Sequence, residues 1–202
     1  FRAWYYYGLL VNYGPVSIVE KPLNPDAEEM QAYSKRNSRT EVADFIINDL
    51  KTAVANLQEK NNSATMRIHR DVARALLSEV ALFEGTWEKY HKGTKFADPA
   101  CTDAKVKEYL QTAADAAKAV IDRGVWKIYS TGDALNDYRV LFATTDLGSN
   151  SEVLWYKKYD GDLVGNNVDR YLNTGGGGIG VTSSLVDDYL TIDGRPFVGT
   201  ER

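Results

Sequence analysis

The chain has 202 residues, enough for one domain or a domain and a half. Hydrophobic residues make up 44% and charged residues 26%, the balance of a globular protein with its own core. Its 24 basic and 28 acidic side chains leave a net charge of only -4, which argues against a nucleic-acid binder, and no apolar run approaches the roughly 20 residues of a membrane-spanning helix.

A single cysteine, Cys101, excludes an internal disulfide framework and a cysteine-based zinc cluster, and reads as a buried or incidental thiol. The chain opens on "FRAWYYYGLL" without an initiator methionine or signal peptide and closes on "GTER". It is read as an internal piece of a longer protein, with any targeting signal upstream.

Phe1 to Asn12 is expected to form an aromatic helix, stopped at Gly14-Pro15, where glycine accepts a left-handed cap and proline blocks continuation. Pro22 and Pro25 keep "VSIVEKPLNP" extended. Ser38 followed by Glu41 is a capping box, and Val42, Phe45, Ile46, Leu50, Ala53, Val54 and Leu57 then recur at helical period. After the polar "QEKNNSATMR", a third helix is predicted from about Asp71 to Tyr90. Its stripe is Leu76, Val80, Phe83, Trp87 and Tyr90, flanked by Ala73, Leu77 and Ala81. A fourth spans about Thr102 to Arg123 and ends at Gly124, its alanines making a smooth face for close helix approach. Amphipathic helices with small residues on one side suggest helical hairpins of a degenerate tetratricopeptide kind.

Past Gly124 the pattern changes. "VWKIY" and "EVLWYKKY" alternate with period two and read as short strands. The stretch between them is mostly loop, with a helical turn around Leu141-Phe142. Thr182 or Ser183 caps a last short helix holding Leu185, Val186, Tyr189 and Leu190, and Asp193-Gly194 forms a turn. The fold class expected is mainly α, with tetratricopeptide-like hairpins and an irregular region containing short strands. Residues 1–124 form the helical scaffold and 125–202 a loop-rich part of the same domain.

Catalytic and cofactor motifs fail one by one. Gly175, Gly177 and Gly180 fit G-x-G-x-x-G, but a long helix and a ribose-holding acid about 20 residues on are lacking, and no lysine makes the run a P-loop. "DGDLVGNN" puts Val164 at the fifth and Tyr171 at the twelfth position of a calcium loop, where oxygen ligands belong. His69 and His91 stand far apart at helix ends, where capping explains them. The adjacent pairs Glu28-Glu29 and Asp187-Asp188 point to different sides of a helix and make poor acid-base partners. No catalytic residue, metal ligand or cofactor site is assigned.

What stands out is aromatic content, with 13 Tyr and 4 Trp. Flat rings stack on sugar faces while hydroxyls and amides bond the rim. Tyr5, Tyr6, Tyr7, Phe83 and Tyr109 are expected to pack in the core. Tyr159 and Tyr171, set among Asp, Asn and Gly, are the leading ligand-contact candidates, followed by Trp155 and by Trp87 with Tyr90.

The order of segments carries a resemblance. "FRAWYYYGLLVNYGPVSIVEKP", "SRTEVADFIINDLKTAVANL", "RIHRDVARALLSEVALFEGTW", "AADAAKAVIDRGVWKI", "NSEVLWY" and "TSSLVDDYLTIDGRP" resemble, in this order, the SusD/RagB family of nutrient-binding outer-membrane lipoproteins of the Bacteroidetes. Ser38 to Leu50 matches the family's Ser-Arg-x-Glu-Val-x-x-x-Ile-x-x-Asp-Leu helix. Thr182 to Gly194 matches its Pro-Thr-x-x-Leu-Val-Asp-x-Tyr-x-x-x-Asp-Gly motif, with Val181 where proline is usual. On that pattern the glycine run is an exposed loop leading into the motif.

The resemblance implies a tetratricopeptide scaffold docked on a TonB-dependent outer-membrane transporter, an irregular region that captures a glycan at the cell surface without cleaving it, and a lipid anchor upstream of Phe1. It transfers no ligand residue. Two other functions stay open on the residues alone: a protein-interaction scaffold without its own ligand, and a glycoside-degrading enzyme.

Overall fold

Helices form where local signals put them. The computed structural model describes residues 1–165, 168, 171, 173 and 180–196, and among these it is mainly helical. The helices are α1 (Arg2–Tyr13), α2 (Ala27–Ala32), α3 (Arg39–Asn56), α4 (Arg70–His91), α5 (Asp103–Ile121), α6 (Asp137–Ala143) and α7 (Ser183–Asp187). The chain divides into two compact units, Phe1–Lys158 and Tyr159–Arg202. The first thus takes in the irregular stretch after Gly124 as well as α1 to α6.

Caps explain the helix ends. Ser38 and Glu41 complete the capping box of α3, Thr102 accepts from the Lys105 amide at the start of α5, and Thr182 accepts from Leu185 to start α7. Gly14 and Gly124 follow α1 and α5 with φ of 67° and 63°. The short α2 has no apolar stripe to announce it; Asp26 starts it by accepting from Glu29 N at 2.7 Å. Upstream, the extended stretch is held by side chains: Tyr6 Oη accepts from Val19 N and Asn37 Oδ1 from Ile18 N.

Within the first unit α4 packs most extensively on α5 and next on α3, and α3 packs on α1. The core gathers Leu10, Val42, Ile46, Leu50, Leu77, Val80, Ala81, Tyr109, Ala113 and Ala116. The approach of α5 to α4 depends on Gly85, where an added Cβ would lie 2.9 Å from Leu110 Cδ2 and 3.2 Å from Tyr109 Cβ. Tyr109 is fully buried and donates from its hydroxyl to Asp44 at 2.9 Å.

The inner face of α4 is not the stripe expected from its apolar residues. Ala73, Leu77, Val80 and Ala81 are buried, and so are Asp71, Glu84 and Glu88, whereas Leu76, Phe83 and Trp87 are half-buried and Tyr90 is exposed. Charged residues turn inward because Arg39, at the start of α3, meets them. Its guanidinium donates to both Glu84 oxygens at 3.0 and 2.8 Å and lies 4.2 Å from the Trp87 ring centroid. Glu88 in turn accepts from the Asp98 amide, and Asp98 accepts from the Thr40 and Ala100 amides.

Among the aromatics expected in the core, Tyr109 is fully enclosed, Tyr6 and Tyr7 are half-buried against the core, and Phe83 is half-buried edge-on to Tyr7. Tyr5 is 70% exposed, a correction, because the face of α1 turned to the core carries Ala3, Tyr6, Tyr7 and Leu10.

The short strands are a second correction. Among the described residues strand character is limited to isolated bridges at Asp160–Val164 and Leu190–Pro196. "VWKIY" does approach the start of "EVLWYKKY", with Lys127 N donating to the O of the preceding Ser151 at 3.0 Å. The next rung is occupied by a side chain, since Tyr129 N donates to Glu152 Oε2 at 2.8 Å, and no backbone ladder develops.

In the second unit, Asp160 Oδ1 accepts from the amides of Asp162 and Leu163, so Asp160–Leu163 is a self-bonded turn, while Asn166 and Asn167 of "DGDLVGNN" lie outside the described residues. Gly194 takes φ of 73° in the turn after α7. The glycine motif at Gly175 and Gly177 lies outside the described residues. No helix among the described residues is long and apolar enough to cross a membrane.

Candidate functional site

An open cleft of about 750 Å³ forms in the first unit, where the α3–α4 connection meets residues 146–149 and 156–158. That volume falls within the roughly 300–1,000 Å³ of small-molecule sites. Its lining is Asn62, Ala64, Met66, Asp146, Gly148, Ser149, Tyr156 and Lys158.

Asp146 organises the polar side of the cleft. Its carboxylate accepts from Tyr156 Oη at 2.6 Å, from Lys158 Nζ at 2.7 Å and from Gly148 N at 3.1 Å. The Lys158 ammonium, then Tyr156 and the Gly148 amide, hold Asp146 well below the ordinary carboxylate range, and the same contact raises the Tyr156 hydroxyl. Gly148 makes the arrangement sterically possible. A Cβ there would stand 3.1 Å from Ala64 Cα and 3.2 Å from both Tyr156 Oη and Asp146 Oδ1.

The apolar side is set by Ala64 and Met66, to which Trp155 is bonded. Met66 is the one non-glycine residue at positive φ, 52°, among the described residues, and its carbonyl accepts from Trp155 Nε1 at 2.9 Å. A left-handed conformation in an unbranched residue costs about 1–3 kcal/mol and persists where surroundings over-determine it. Here the indole bond and the turn formed when Met66 N donates to Ser63 O do so.

Buried groups anchor the cleft to the helices. Ser63 donates to Leu147 O at 3.2 Å, and His69 Nε2 donates to Leu154 O at 2.8 Å while its ring stacks on Trp126 at 5.4 Å. Asp71, at 0% exposure, accepts from Trp126 Nε1 at 2.7 Å, from Arg74 at 2.8 Å and from Arg123. His69 was expected to cap a helix; it stands at the N-cap of α4 without a side-chain cap bond and serves as this buried tie instead. His91 does bond within its helix end, to Trp87 O at 2.8 Å.

Since Leu154 O can only accept, the proton of His69 sits on Nε2, leaving Nδ1 buried without a partner. Burial, with Arg123 and Lys60 nearby, lowers the His69 pKa. Above the unfolded value of about 6.5 both states are neutral, and below it the unfolded chain takes the proton first. The stability advantage of wild type over His69→Phe is therefore expected to shrink as pH falls from 7.5 to 5.5. Denaturant titrations of both proteins across that range check it, and a pH-independent difference contradicts it.

Of the five aromatic candidates, the three in the first unit stand apart from one another. Trp155, 40% exposed, flanks the cleft through Met66 and Tyr156. Tyr90, 73% exposed, lies at the far end of α4, about 30 Å away along a helix of this length. Trp87 is engaged by Arg39 and by His91, whose ring stacks at 4.1 Å, and its Nε1 donates to Phe96 O. Tyr159 and Tyr171, 45% and 56% exposed, belong to the second unit.

Sequence reasoning passed over Asn62, Asp146, Tyr156 and Lys158, which carry no motif and converge only through the fold. Their nearest signal is Gly148, followed by Ser149 and Asn150, in a loop. A second hollow, about 550 Å³, adjoins Arg39, Trp87 and Asp98, but these groups are already taken up by the buried ion network.

Among the described residues no group of three or more His, Cys, Asp or Glu side chains is arranged to hold a metal ion. Comparison of the chain with protein-family models and with curated proteins finds no match in either.

Proposed function

We propose that this chain captures glycans at the bacterial cell surface, without cleaving them, and passes them to a TonB-dependent outer-membrane transporter. Its helices would act as a tetratricopeptide-like scaffold and a lipid anchor outside this sequence would hold it to the membrane. The observation that carries the reading is the exposure of Trp155, Tyr159 and Tyr171 in the irregular part of the chain, Trp155 beside a cleft rich in hydrogen-bonding groups. The resemblance of Ser38–Leu50 and Thr182–Gly194 to the SusD/RagB pattern supports the delivery step, and the close contact of α4 and α5 through Gly85 supports the scaffold.

A binding role without hydrolysis fits the carboxylates of the cleft. Glycoside hydrolysis takes two, one kept protonated as the acid, whereas the cleft lining has only Asp146, held ionised beside Lys158. A second reading, an interaction scaffold, draws on the apolar face of α1, where Phe1, Tyr5, Leu9 and Tyr13 are all exposed.

Tyr159→Ala and Tyr171→Ala are each expected to weaken glycan binding by about 0.5–1.5 kcal/mol, with little change in melting temperature. Isothermal titration against neutral and acidic oligosaccharides checks this. Absence of heat with every glycan would favour the scaffold, and release of reducing sugar would defeat the binding-only reading.

A further inference from the structure

The cleft at Asp146 is organised for hydroxyl recognition, and none of the aromatic candidates predicted its polar residues. We infer that Asn62, Asp146, Tyr156 and Lys158 form a subsite for a neutral sugar ring, read through a pair of adjacent hydroxyls, with Ala64 and Met66 as its apolar flank. This inference rests on the glycan-capture reading and adds the ligand's charge class and the residues that recognise it.

Charge decides the class. The lining carries one carboxylate, Asp146, and one ammonium, Lys158, which cancel, and its other members are uncharged. A uronic acid, sulfate or phosphate entering the cleft would meet Asp146, and an amino sugar would meet Lys158. A neutral ring meets neither penalty.

Geometry decides the contact. Lys158 Nζ and Asp146 Oδ2 lie 2.7 Å apart, so an acceptor and a donor stand side by side at a spacing commensurate with hydroxyl oxygens on neighbouring ring carbons. One hydroxyl donates to the Asp146 carboxylate while its neighbour accepts from the Lys158 ammonium, both charge-assisted bonds. Asn62, whose Oδ1 accepts from Ala64 N at 3.2 Å, turns an amide toward the same space as a further polar contact.

Preorganisation supports the assignment. Tyr156 and the Gly148 amide fix the carboxylate before any ligand arrives, and Gly148 leaves no room for a side chain that would separate them. Strained backbone at Met66 lines the same space, in keeping with the clustering of such strain at ligand sites.

The test is a titration of the whole chain with neutral oligosaccharides (malto-, cello-, xylo- and manno-series) and with oligogalacturonides, comparing wild type with Asp146→Asn and Lys158→Met. The expected result is binding of a neutral series, weakened tenfold or more in each variant at unchanged melting temperature. Wild-type binding that both variants retain would overturn the subsite and leave glycan capture standing. Preference for the oligogalacturonides would overturn the neutral class alone, and no binding in any series would overturn both. Should a variant fail to fold, amide and indole chemical shifts of the wild type decide: Gly148 N–H and Trp155 Nε1–H are expected to move on titration, and a ligand that moves neither refutes the assignment.

Discussion

Arg39→Met is expected to destabilise the helical unit by about 3–5 kcal/mol at pH 7.5, the range seen when one partner of a buried ion pair is removed. Arg39 is buried between Glu84 and Glu88, with nitrogen-to-oxygen distances of 2.8 and 3.7 Å to the closest oxygens. Without it two buried carboxylates lose their cation. Even in wild type, burial outweighs the pull of Arg39 and carries Glu84 up to about 7, and burial likewise raises Glu88. A carboxyl whose folded pKa is raised favours the folded state at low pH and loses that contribution as pH rises through the folded value.

The Arg39→Met deficit is therefore expected to narrow as pH drops from 7.5 toward 5, where Glu84 and Glu88 take up protons. Urea denaturation at both pH values measures it. A deficit under 1 kcal/mol, or one that widens in acid, contradicts the account. The double variant Arg39→Met/Glu84→Leu is expected to recover part of the loss, because the burial cost of Glu84 goes with that of Arg39 while Glu88 still lacks its cation.

Asp71→Ala is expected to lower stability by about 3 kcal/mol, the lower end of the same range, because its cationic partners keep Glu59 nearby. The loss falls on the attachment of residues 122–158 to α4. Asp71 alone receives the Trp126 indole N–H, and it holds Arg123 and Arg74 at the root of the cleft. Hydrogen exchange is expected to accelerate through 122–158 while the α3 amides around Ile46 stay protected, and Trp126 emission is expected to shift red. Uniform loss of protection across both regions would show that Asp71 supports the whole unit and not this attachment. Asp71→Asn keeps one acceptor for the indole and is expected to lose less.

Together these two ion networks hold the opposite ends of α4. Arg39, Glu84 and Glu88 bind its C-terminal half to the start of α3, and Asp71 binds its first turn to the loop-rich segment. The cleft is built on the second of these, so a rigid helix end carries the loop groups that would contact a ligand.

Apart from the short α2, the helices were legible in the sequence because their signals act over a few residues. Ser38 and Glu41 bond within one turn, Thr102 and Thr182 accept from amides three residues on, and glycine ends α1 and α5 with a backbone few other residues adopt. The aromatic residues exposed in the irregular part were legible for a similar reason, since Tyr159 and Tyr171 have few apolar neighbours along the chain.

Tertiary structure alone decided which face of α4 turns inward, because the partner that makes Glu84 buriable, Arg39, lies 45 residues away. It also decided that the alternating segments after Gly124 form no ladder, since Glu152 takes the Tyr129 amide that a paired strand would have bonded. The cleft follows the same rule: Asn62 is brought to Asp146 and Lys158 by the packing of Ser63, His69 and Asp71 against the following loops. Caps and turns are short-range and can be read along the chain, whereas burial of charge and convergence of polar groups depend on distant partners and exist only once the chain has folded.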